Sequence, residues 1–361
     1  MEPQTQEQTK AAPPISPTSV RRLKILGLVL TLGGIGLFSY FIYIEGISDI
    51  AADVARFGFA GFGAILAVYF LRIITRAWAW KLSVYEPYSL SLKDTVPAVI
   101  IGESLSSLIP LGILISGTSK AVAVRRQVPL VVGLSSVATE NLFYSLITSV
   151  FLILGALTLI RSFQLDDAWI VTLLDIVISV IVLLVLFIIA MIIRQWHIAS
   201  ATCEWLYSKG IARRPLEHGR LHVRLFENLI YGFYRRYPQR FLPICGLEAA
   251  FHILGMIEVY FILGFIGQLG TSWLSAFLLE TVSRLITVVF KLIPFLVGVD
   301  EAGAQFVAKV LGLGASVGIT LAVIRKGRVL VWTAVGLALI VKRGLSLREI
   351  SELRHQSHID A

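Results

Sequence analysis

The sequence predicts an all-α, polytopic membrane protein. Of its 361 residues, 56% are hydrophobic and only 15% are charged, and the mean hydropathy of +0.80 lies outside the range of soluble globular domains. Apolar runs long enough to cross a bilayer recur between short polar segments. Two further apolar stretches are interrupted by prolines, glycines and charges. We therefore expect about six full spans plus two re-entrant hairpins of broken helices.

The N-terminal region predicts the orientation. Residues 1–24, rich in Pro, Gln and Thr, are expected to form a disordered tail. Residues 25–44 are apolar and longer than the core of a typical cleaved signal peptide, so we interpret them as an uncleaved first span. The tail has a net charge of +2, whereas residues 45–56 have a net charge of −2. By the positive-inside rule, the N-terminus is cytoplasmic.

Five more full spans are expected along the chain, at residues 57–80, 131–160, 169–193, 241–266 and 315–341. The transmembrane domain then covers residues 25–343, and residues 344–361 form a cytoplasmic tail.

Arg72 and Arg76 lie four residues apart near the end of the second span and therefore share a helical face. We interpret them as arginines that extend to the cytoplasmic headgroups, with binding of a lipid phosphate as the alternative.

The first disturbed stretch covers residues 95–130. Glu103 lies there among serines, Pro110 follows, and the stretch ends in basic residues that include Lys120. A single crossing would leave these cations outside the cell, whereas a turn near Pro110 returns them to the cytoplasm. The pattern therefore predicts a re-entrant hairpin of two half-helices.

Two full spans contain groups that need a partner. Glu140 and Asn141 lie inside the span at 131–160, and a buried Glu is costly unless it is neutral or paired. Glu248 and His252 share a face of a later helix, so we expect either a hydrogen-bonded pair or a proton relay.

Residues 194–240 form the largest polar segment, with nine Lys or Arg, three Glu and interleaved aromatic residues. This composition is typical of amphipathic helices on the inner leaflet. His218 and His222 are four residues apart but lack further ligands at suitable spacing. We therefore expect no metal and no cofactor, and because the basic residues follow the topology, we expect no nucleic-acid partner.

The second disturbed stretch covers residues 280–314 and contains Glu280, Arg284, Pro294 and Glu301. Each charge at a helix centre costs roughly 2.5–3.5 kcal/mol, while one Leu or Val returns only about 0.3–0.6 kcal/mol. These side chains must therefore face protein or a wet cavity. Glu280 and Arg284 either form an ion pair that holds the hairpin or contact a substrate. Glu301 either stabilises the N-terminus of a half-helix or binds a headgroup.

The two disturbed stretches resemble each other. When they are aligned without gaps so that Gly117 falls on Gly298, further small and apolar residues coincide. A Leu-Ile-Pro sequence, slightly out of this register, ends at Pro110 in one stretch and at Pro294 in the other. Counting spans from a cytoplasmic N-terminus requires the second hairpin to enter from outside. This pattern predicts inverted-topology repeats whose broken helices build a substrate site.

Nine polar residues are candidates for lipid binding: Glu103, Ser107, Glu140, Asn141, Glu280, Arg284, Glu301, Arg325 and Arg328. The arginines at 284, 325 and 328 suit a phosphate, and the acids at 103 and 301 would bind a cationic or hydroxylated headgroup or carry a proton. Alternatively, Arg325 and Arg328 pair with Glu140 or Glu258 inside the bundle. Four residues are candidate hinges: Pro110, Gly117, Pro294 and Gly298. We assign no catalytic residue.

Several motifs carry a family resemblance. They are IGESLSSLIP at residues 101–110 with the following GTSKAVAVRR, ETVSR at 280–284, IPFLVGVDEAG at 293–303, and the late IRKGR. Over roughly residues 20–345, the chain resembles the lysylphosphatidylglycerol synthase transmembrane family, also called flippase-like or uncharacterised family 0104. It looks closest to the hopanoid-biosynthesis-associated branch.

The resemblance implies a multi-span domain that moves lipids between leaflets, or supports lipid export, in a bacterial or archaeal cytoplasmic membrane. Its expected partners are membrane lipids of anionic, polyisoprenoid or hopanoid type, and lipid-synthesis enzymes. The aminoacyl-transferase domain that follows in the bifunctional synthases is not expected here. The sequence has Lys120 where an acid is common in the family, which leaves substrate and proton coupling open.

The leading functional hypothesis is thus a lipid translocase or lipid-transport factor that is not an enzyme. A non-transporting scaffold for lipid-synthesis enzymes and an intramembrane headgroup transferase are the alternatives.

Overall fold

A computed structural model describes residues 40, 43, 47–108, 112–163, 168–209, 213–267, 272–290 and 296–342. Within these residues the chain forms eleven α-helices, one short 3₁₀ helix at Pro238–Arg240, and no β-strand. The predicted all-α, polytopic membrane fold is confirmed. Nearly all of the first predicted span lies outside the described residues.

The helices are numbered in chain order. They are α1 (Ile47–Leu82), α2 (Leu92–Leu108), α3 (Gly112–Ala123), α4 (Leu130–Ser162), α5 (Ala168–Arg194), α6 (Ile198–Ser208), α7 (Arg213–Arg236), α8 (Phe241–Phe265), α9 (Trp273–Val289), α10 (Val299–Val310) and α11 (Ala315–Lys342).

Four segments among the described residues are long and apolar enough to cross a bilayer, and they match four of the predicted spans: Ile50–Leu82, Leu130–Ser162, Leu174–Arg194 and Pro238–Phe265. Helix α1 begins ten residues earlier than predicted because residues 47–56 are helical despite their acidic side chains. Gly58 interrupts this helix with a φ of 61°, a conformation that glycine adopts without steric cost.

Both disturbed stretches are broken into two helices at the predicted places. Helix α2 ends at Leu108 and α3 begins at Gly112, while α9 ends at Val289 and α10 begins at Val299. The two helices of each stretch pack against each other. Pro110 and Pro294 lie outside the described residues, and re-entry from one leaflet stays a prediction.

The helices form two halves with the same packing scheme. We call α1–α4 the first half and α8–α11 the second half. The leading helices α1 and α8 pack against each other at the centre of the molecule. In each half the third helix packs on the fourth, and the second helix packs on the fourth helix of the other half. This exchange is the contact pattern of two repeats related by an approximate two-fold axis.

The register that places Gly117 on Gly298 recurs in the fold. Helices α2 and α9 each contain 17 residues, and their first residues coincide in that register. Gly155 of α4 and Gly336 of α11 coincide as well, and each allows its helix to cross closely over the second helix of the other half. The third helices differ more, because Gly117 lies inside α3 whereas Gly298 precedes the first turn of α10.

The segment between the halves contains α5, α6 and α7. No residue in the most apolar part of α5 is buried inside the protein. Helices α6 and α7 occupy the basic segment and pack against each other. The side chain of Glu227 in α7 is buried and accepts hydrogen bonds from the backbone amides of Ala199 and Ser200 at the start of α6. Inner-leaflet placement of this pair stays a prediction.

The crossing of α10 and α11 yields a stability prediction. A methyl group at Gly318 would overlap the backbone carbonyl of Ala304, which cannot rotate away as a side chain could. Gly318→Ala should therefore lower the free energy of unfolding by roughly 1–3 kcal/mol. Thermal unfolding in detergent, followed by tryptophan fluorescence, measures the change.

Gly246→Ala is the matched control, because a Cβ at that position of α8 has no heavy atom within 4 Å. This variant should be neutral or slightly stabilising, since Ala favours a helix by up to ~1 kcal/mol over Gly. Equal unfolding temperatures for the two variants would contradict the close crossing.

Candidate functional site

A cavity of about 800 Å³ lies where the two halves and α5 meet. Its walls come from every helix of both halves and from α5. Among the described residues, eight charged side chains line it: the cations Arg76, Lys120, Arg284, Arg325, Lys326 and Arg328, and the acids Glu103 and Asp300. The surface of the cavity is therefore strongly cationic.

A buried group of arginines and glutamates adjoins the cavity, and we call it the central ion cluster: Arg72, Glu258, Glu280, Arg284, Arg325 and Arg328. Arg72 of α1 is fully buried and donates to Glu258 at 3.0 Å and to Glu280 at 3.1 Å. Arg325 also contacts both carboxylates. The cluster thus joins α1, α8, α9 and α11 through charges alone.

The remaining two arginines lie at the edge of the cluster. Arg328 donates to Glu258 and also lies over the ring of Tyr69, with its guanidinium carbon 3.9 Å from the ring centroid. The Nε of Arg284 lies 2.9 Å from Glu280, four residues earlier in α9. Both arginines reach the cavity, so they join the buried carboxylates to its surface.

A glycine makes room for the cluster. A Cβ at Gly255 of α8 would overlap Glu280 Oε1 and would lie 3.1 Å from the guanidinium carbon of Arg72. The ring of Phe251, one turn earlier, lies 4.2 Å from that carbon. Helix α8 therefore provides the ring of Phe251 and the space beside Gly255, and the side chains of Arg72 and Glu280 occupy that space.

A second group of ionisable residues lies beside the first half, and we call it the α4 cluster: Arg76, Lys120, Glu140 and Glu248. Arg76 donates to Glu140 Oε1 from Nε at 3.0 Å and from Nη2 at 2.6 Å. The ammonium of Lys120 lies 3.9 Å from Glu140 Oε2. Asn141 Oδ1 accepts a longer bond of 3.4 Å from Arg76.

Three more predicted site residues have specific partners. Tyr69 donates to Glu103 at 2.9 Å, and Ser107 lies 3.1 Å from the hydroxyl of Thr333 in α11. Glu301 Oε2 accepts the backbone amide of Gly298 at 2.7 Å, while its Oε1 lies 2.5 Å from Lys326. Glu301 therefore stabilises the N-terminus of α10, as one of the two sequence interpretations expected.

Charge is distributed unevenly around the cavity. Five glutamates have no solvent exposure and do not line it: Glu140, Glu248, Glu258, Glu280 and Glu301. With these and Arg72 included, the described shell contains seven cations and seven carboxyl groups. Near-neutrality lets so many charges lie in a low-dielectric interior. Because these five glutamates lie behind the cations, the lining itself presents six cations and two acids to a ligand.

One wall of the cavity is apolar. It includes Ile176, Val180 and Leu184 of α5 and Val288 of α9. The three α5 side chains are also more than half exposed at the protein surface. A molecule with a polar end and an apolar end can thus place each end against a matching surface.

The structure brings most of the predicted site residues to one place. Six of them line the cavity: Glu103, Ser107, Asn141, Arg284, Arg325 and Arg328. Glu140, Glu280 and Glu301 lie directly behind its wall and hold the cations that face it. The predicted ion pair of Glu280 with Arg284 is present, as is the predicted pairing of Arg328 with Glu258.

Three sequence interpretations were wrong. Arg72 and Arg76 do not extend to the headgroups, because Arg72 is fully buried and Arg76 binds Glu140. Lys120 lies in the cavity wall rather than in a cytoplasmic loop. His252 binds the hydroxyl of Thr148 at 3.0 Å rather than Glu248.

One sequence signal could have identified Arg72. It lies ten residues before the end of α1, which is about 15 Å along a helix and too far for an arginine to extend comfortably to the interface.

The sequence model of the Lysylphosphatidylglycerol synthase TM region matches residues 24–336. The chain belongs to this family. Membership gives the protein a membrane lipid-related role, to which an amphipathic cavity is well suited. No curated protein and no solved structure matches the chain. For this family member, assignment to the hopanoid-associated branch stays a prediction.

Glu280 should be essential for folding. Glu280→Gln keeps the shape of the side chain but leaves four arginines of the central ion cluster against the single carboxylate of Glu258. Removal of one partner from a buried ion pair typically costs about 3–5 kcal/mol. We expect a large fall in the thermal unfolding temperature in detergent, or loss of monodisperse protein.

Glu204→Gln is the matched control, because that carboxylate is about half exposed and forms a surface ion pair with Arg224 at 3.4 Å. Such pairs contribute about 0–1 kcal/mol. Wild-type stability of Glu280→Gln would show that the cluster does not depend on this counter-ion.

Proposed function

We propose that this protein is a lipid translocase or lipid-transport factor for anionic, phosphate-bearing lipids. The observation that carries the proposal is the single cavity surface with cationic side chains on one wall and exposed aliphatic side chains on the other. The site of action is the bacterial or archaeal cytoplasmic membrane, with both termini in the cytoplasm. Lipid-synthesis enzymes are the expected protein partners.

Phosphate is the headgroup chemistry that the cations favour. Arginine presents a planar fork of N–H donors that matches phosphate oxygens, and Arg284, Arg325 and Arg328 line the same cavity. Their buried carboxylate partners orient them before a ligand arrives. Little side-chain ordering then remains to be done on binding.

The size of the cavity suits a headgroup rather than a whole lipid. Small-molecule sites typically occupy about 300–1,000 Å³, and this cavity of about 800 Å³ falls within that range. Acyl chains would remain along the exposed aliphatic face of α5. The headgroup thereby moves from water to the charged groups of the protein, and it does not enter the hydrocarbon core without counter-charges.

The two halves supply a route for exchange between leaflets. In transporters built from inverted repeats, sites form where broken helices meet, and one repeat rocks against the other. The cavity here is bordered by both broken stretches, α2–α3 and α9–α10. We infer that movement of one half relative to the other opens the cavity to alternate leaflets.

Arg284 gives the sharpest test. Arg284→Gln removes a cation from the cavity, while Glu280 keeps its contacts with Arg72 and Arg325. Loss of one charge-assisted hydrogen bond costs about 1.5–3 kcal/mol, so translocation of fluorescently labelled phosphatidylglycerol in proteoliposomes should slow roughly 10- to 100-fold. Arg284→Lys should be intermediate, because it keeps the charge but not the fork.

Arg224→Gln is the control, since Arg224 is exposed on α7 and remote from the cavity lining. Thermal unfolding of each variant in detergent separates lost transport from lost folding. Unchanged translocation in a folded Arg284→Gln protein would contradict the proposed headgroup contact. Headgroup turnover in place of lipid movement would favour a transferase, and neither activity would favour a scaffold.

A further inference from the structure

Two buried carboxyl groups face each other beside the cavity. Glu140 of α4 and Glu248 of α8 are both fully buried. Each lies one turn before a ring of the Tyr144–His252 pair, whose centroids are 5.8 Å apart, so the two carboxyl groups lie in the same packed interface. Among the described residues, Glu140 Oε2 and both oxygens of Glu248 have no hydrogen-bond donor. Two ionised carboxylates cannot satisfy each other, because each oxygen only accepts.

A single proton resolves this arrangement. If Glu248 is protonated, its hydroxyl can donate to Glu140 Oε2, and both orphan groups gain a partner. Glu140 is the member that stays ionised, because Arg76 donates to its other oxygen twice. Neighbouring buried carboxyl groups share one proton for this reason in other proteins.

The charges on every neighbouring helix have to be considered. Arg76 of α1 and Lys120 of α3 favour ionised carboxylates, but Arg76 is directed to Glu140 Oε1 and Lys120 remains 3.9 Å from Oε2. Glu103 of α2 lines the same cavity as both cations, and Arg284 of α9 pairs with Glu280. On α8 itself, Cys245 lies one turn before Glu248, and His252 is held by Thr148. None of these groups donates to Glu248.

We propose that Glu140 and Glu248 hold one proton between them, and that they bind this proton more tightly while an anionic headgroup occupies the cavity. This inference rests on the proposed lipid-binding function and adds a coupling ion to it. The proton site and the headgroup site share Arg76 and Lys120, which line the cavity and contact Glu140.

The sign of the coupling follows from the shared cations. An anion near Arg76 or Lys120 offsets their positive charge at Glu140, so the carboxyl pair binds its proton more tightly. By reciprocity, protonation of the pair strengthens binding of the anion. Anion binding should therefore be tighter at lower pH, and lipid movement should respond to a pH difference across the membrane.

Infrared spectroscopy of the reconstituted protein tests the proton without any transport assay. We expect a C=O stretching band of a buried, protonated carboxyl at neutral pH in the wild type. The band should be lost in Glu248→Gln and retained in Glu204→Gln, whose carboxylate is exposed. The Gln side chain keeps an N–H donor for Glu140, so this variant should fold.

A pH titration of the wild type tests the proposal even if the Glu248→Gln variant does not fold. A carboxyl band that disappears on titration to alkaline pH supports the shared proton. Absence of such a band from mildly acidic to alkaline pH would overturn the proposal, as would a band of equal size in folded Glu248→Gln.

Transport then tests the coupling. In proteoliposomes, the rate of labelled phosphatidylglycerol movement should change about five-fold or more when a pH difference is imposed, which is the low end of typical coupling between sites. Glu248→Gln should move the lipid at a rate independent of pH. Equal pH responses in the wild type and Glu248→Gln would overturn the coupling. If no lipid moves under any condition, the proposed function fails, while the infrared result still decides the proton site.

Discussion

The structure depends on the ion pairs between buried guanidinium groups and carboxylates. Arg72 crosses the interface between the two leading helices and binds Glu258 and Glu280 at once. An isolated charge there would cost several kcal/mol, so α1, α8, α9 and α11 can hardly separate without disrupting one another's ion pairs. The same pairs leave Arg284, Arg325 and Arg328 at the cavity surface. Folding and ligand attraction thus depend on one set of contacts.

The repeat explains how the charges are arranged around the cavity. In the first half, Lys120 of the third helix pairs with Glu140 of the fourth helix. In the second half, Glu301 occupies the position that matches Lys120 in the register of the repeat, and it pairs with Lys326 of the fourth helix. Each half therefore has an ion pair between its third and fourth helices, and the sign of the charge on the third helix is reversed between the halves. Lys120 thus has its partner on the next helix of its own half.

Local sequence patterns were sufficient to predict the helices, but they were not sufficient to predict the ion-pair partners of the charged residues. Hydropathy identified four of the spans, and proline, glycine and charge identified the two broken stretches, because these signals act over a few neighbouring residues. Arg72 and Arg76 were misinterpreted because their partners Glu258, Glu280 and Glu140 are 64 to 208 residues away. The choice between surface and core for an arginine depends on such distant groups.

The two ion clusters have different roles: one stabilises the fold, and the other can change its protonation. In the central ion cluster the carboxylates of Glu258 and Glu280 are each contacted by three arginines, and this positive charge favours their ionised forms. In the α4 cluster two carboxyl groups share Arg76 and a distant Lys120, and Glu248 has no donor among the described residues. A carboxylate in contact with three guanidinium groups resists protonation, whereas a buried carboxyl group without a donor changes its protonation when a nearby charge changes. The α4 cluster is therefore the part of the cavity wall that can sense the arrival of an anion, while the central ion cluster holds the helices in place.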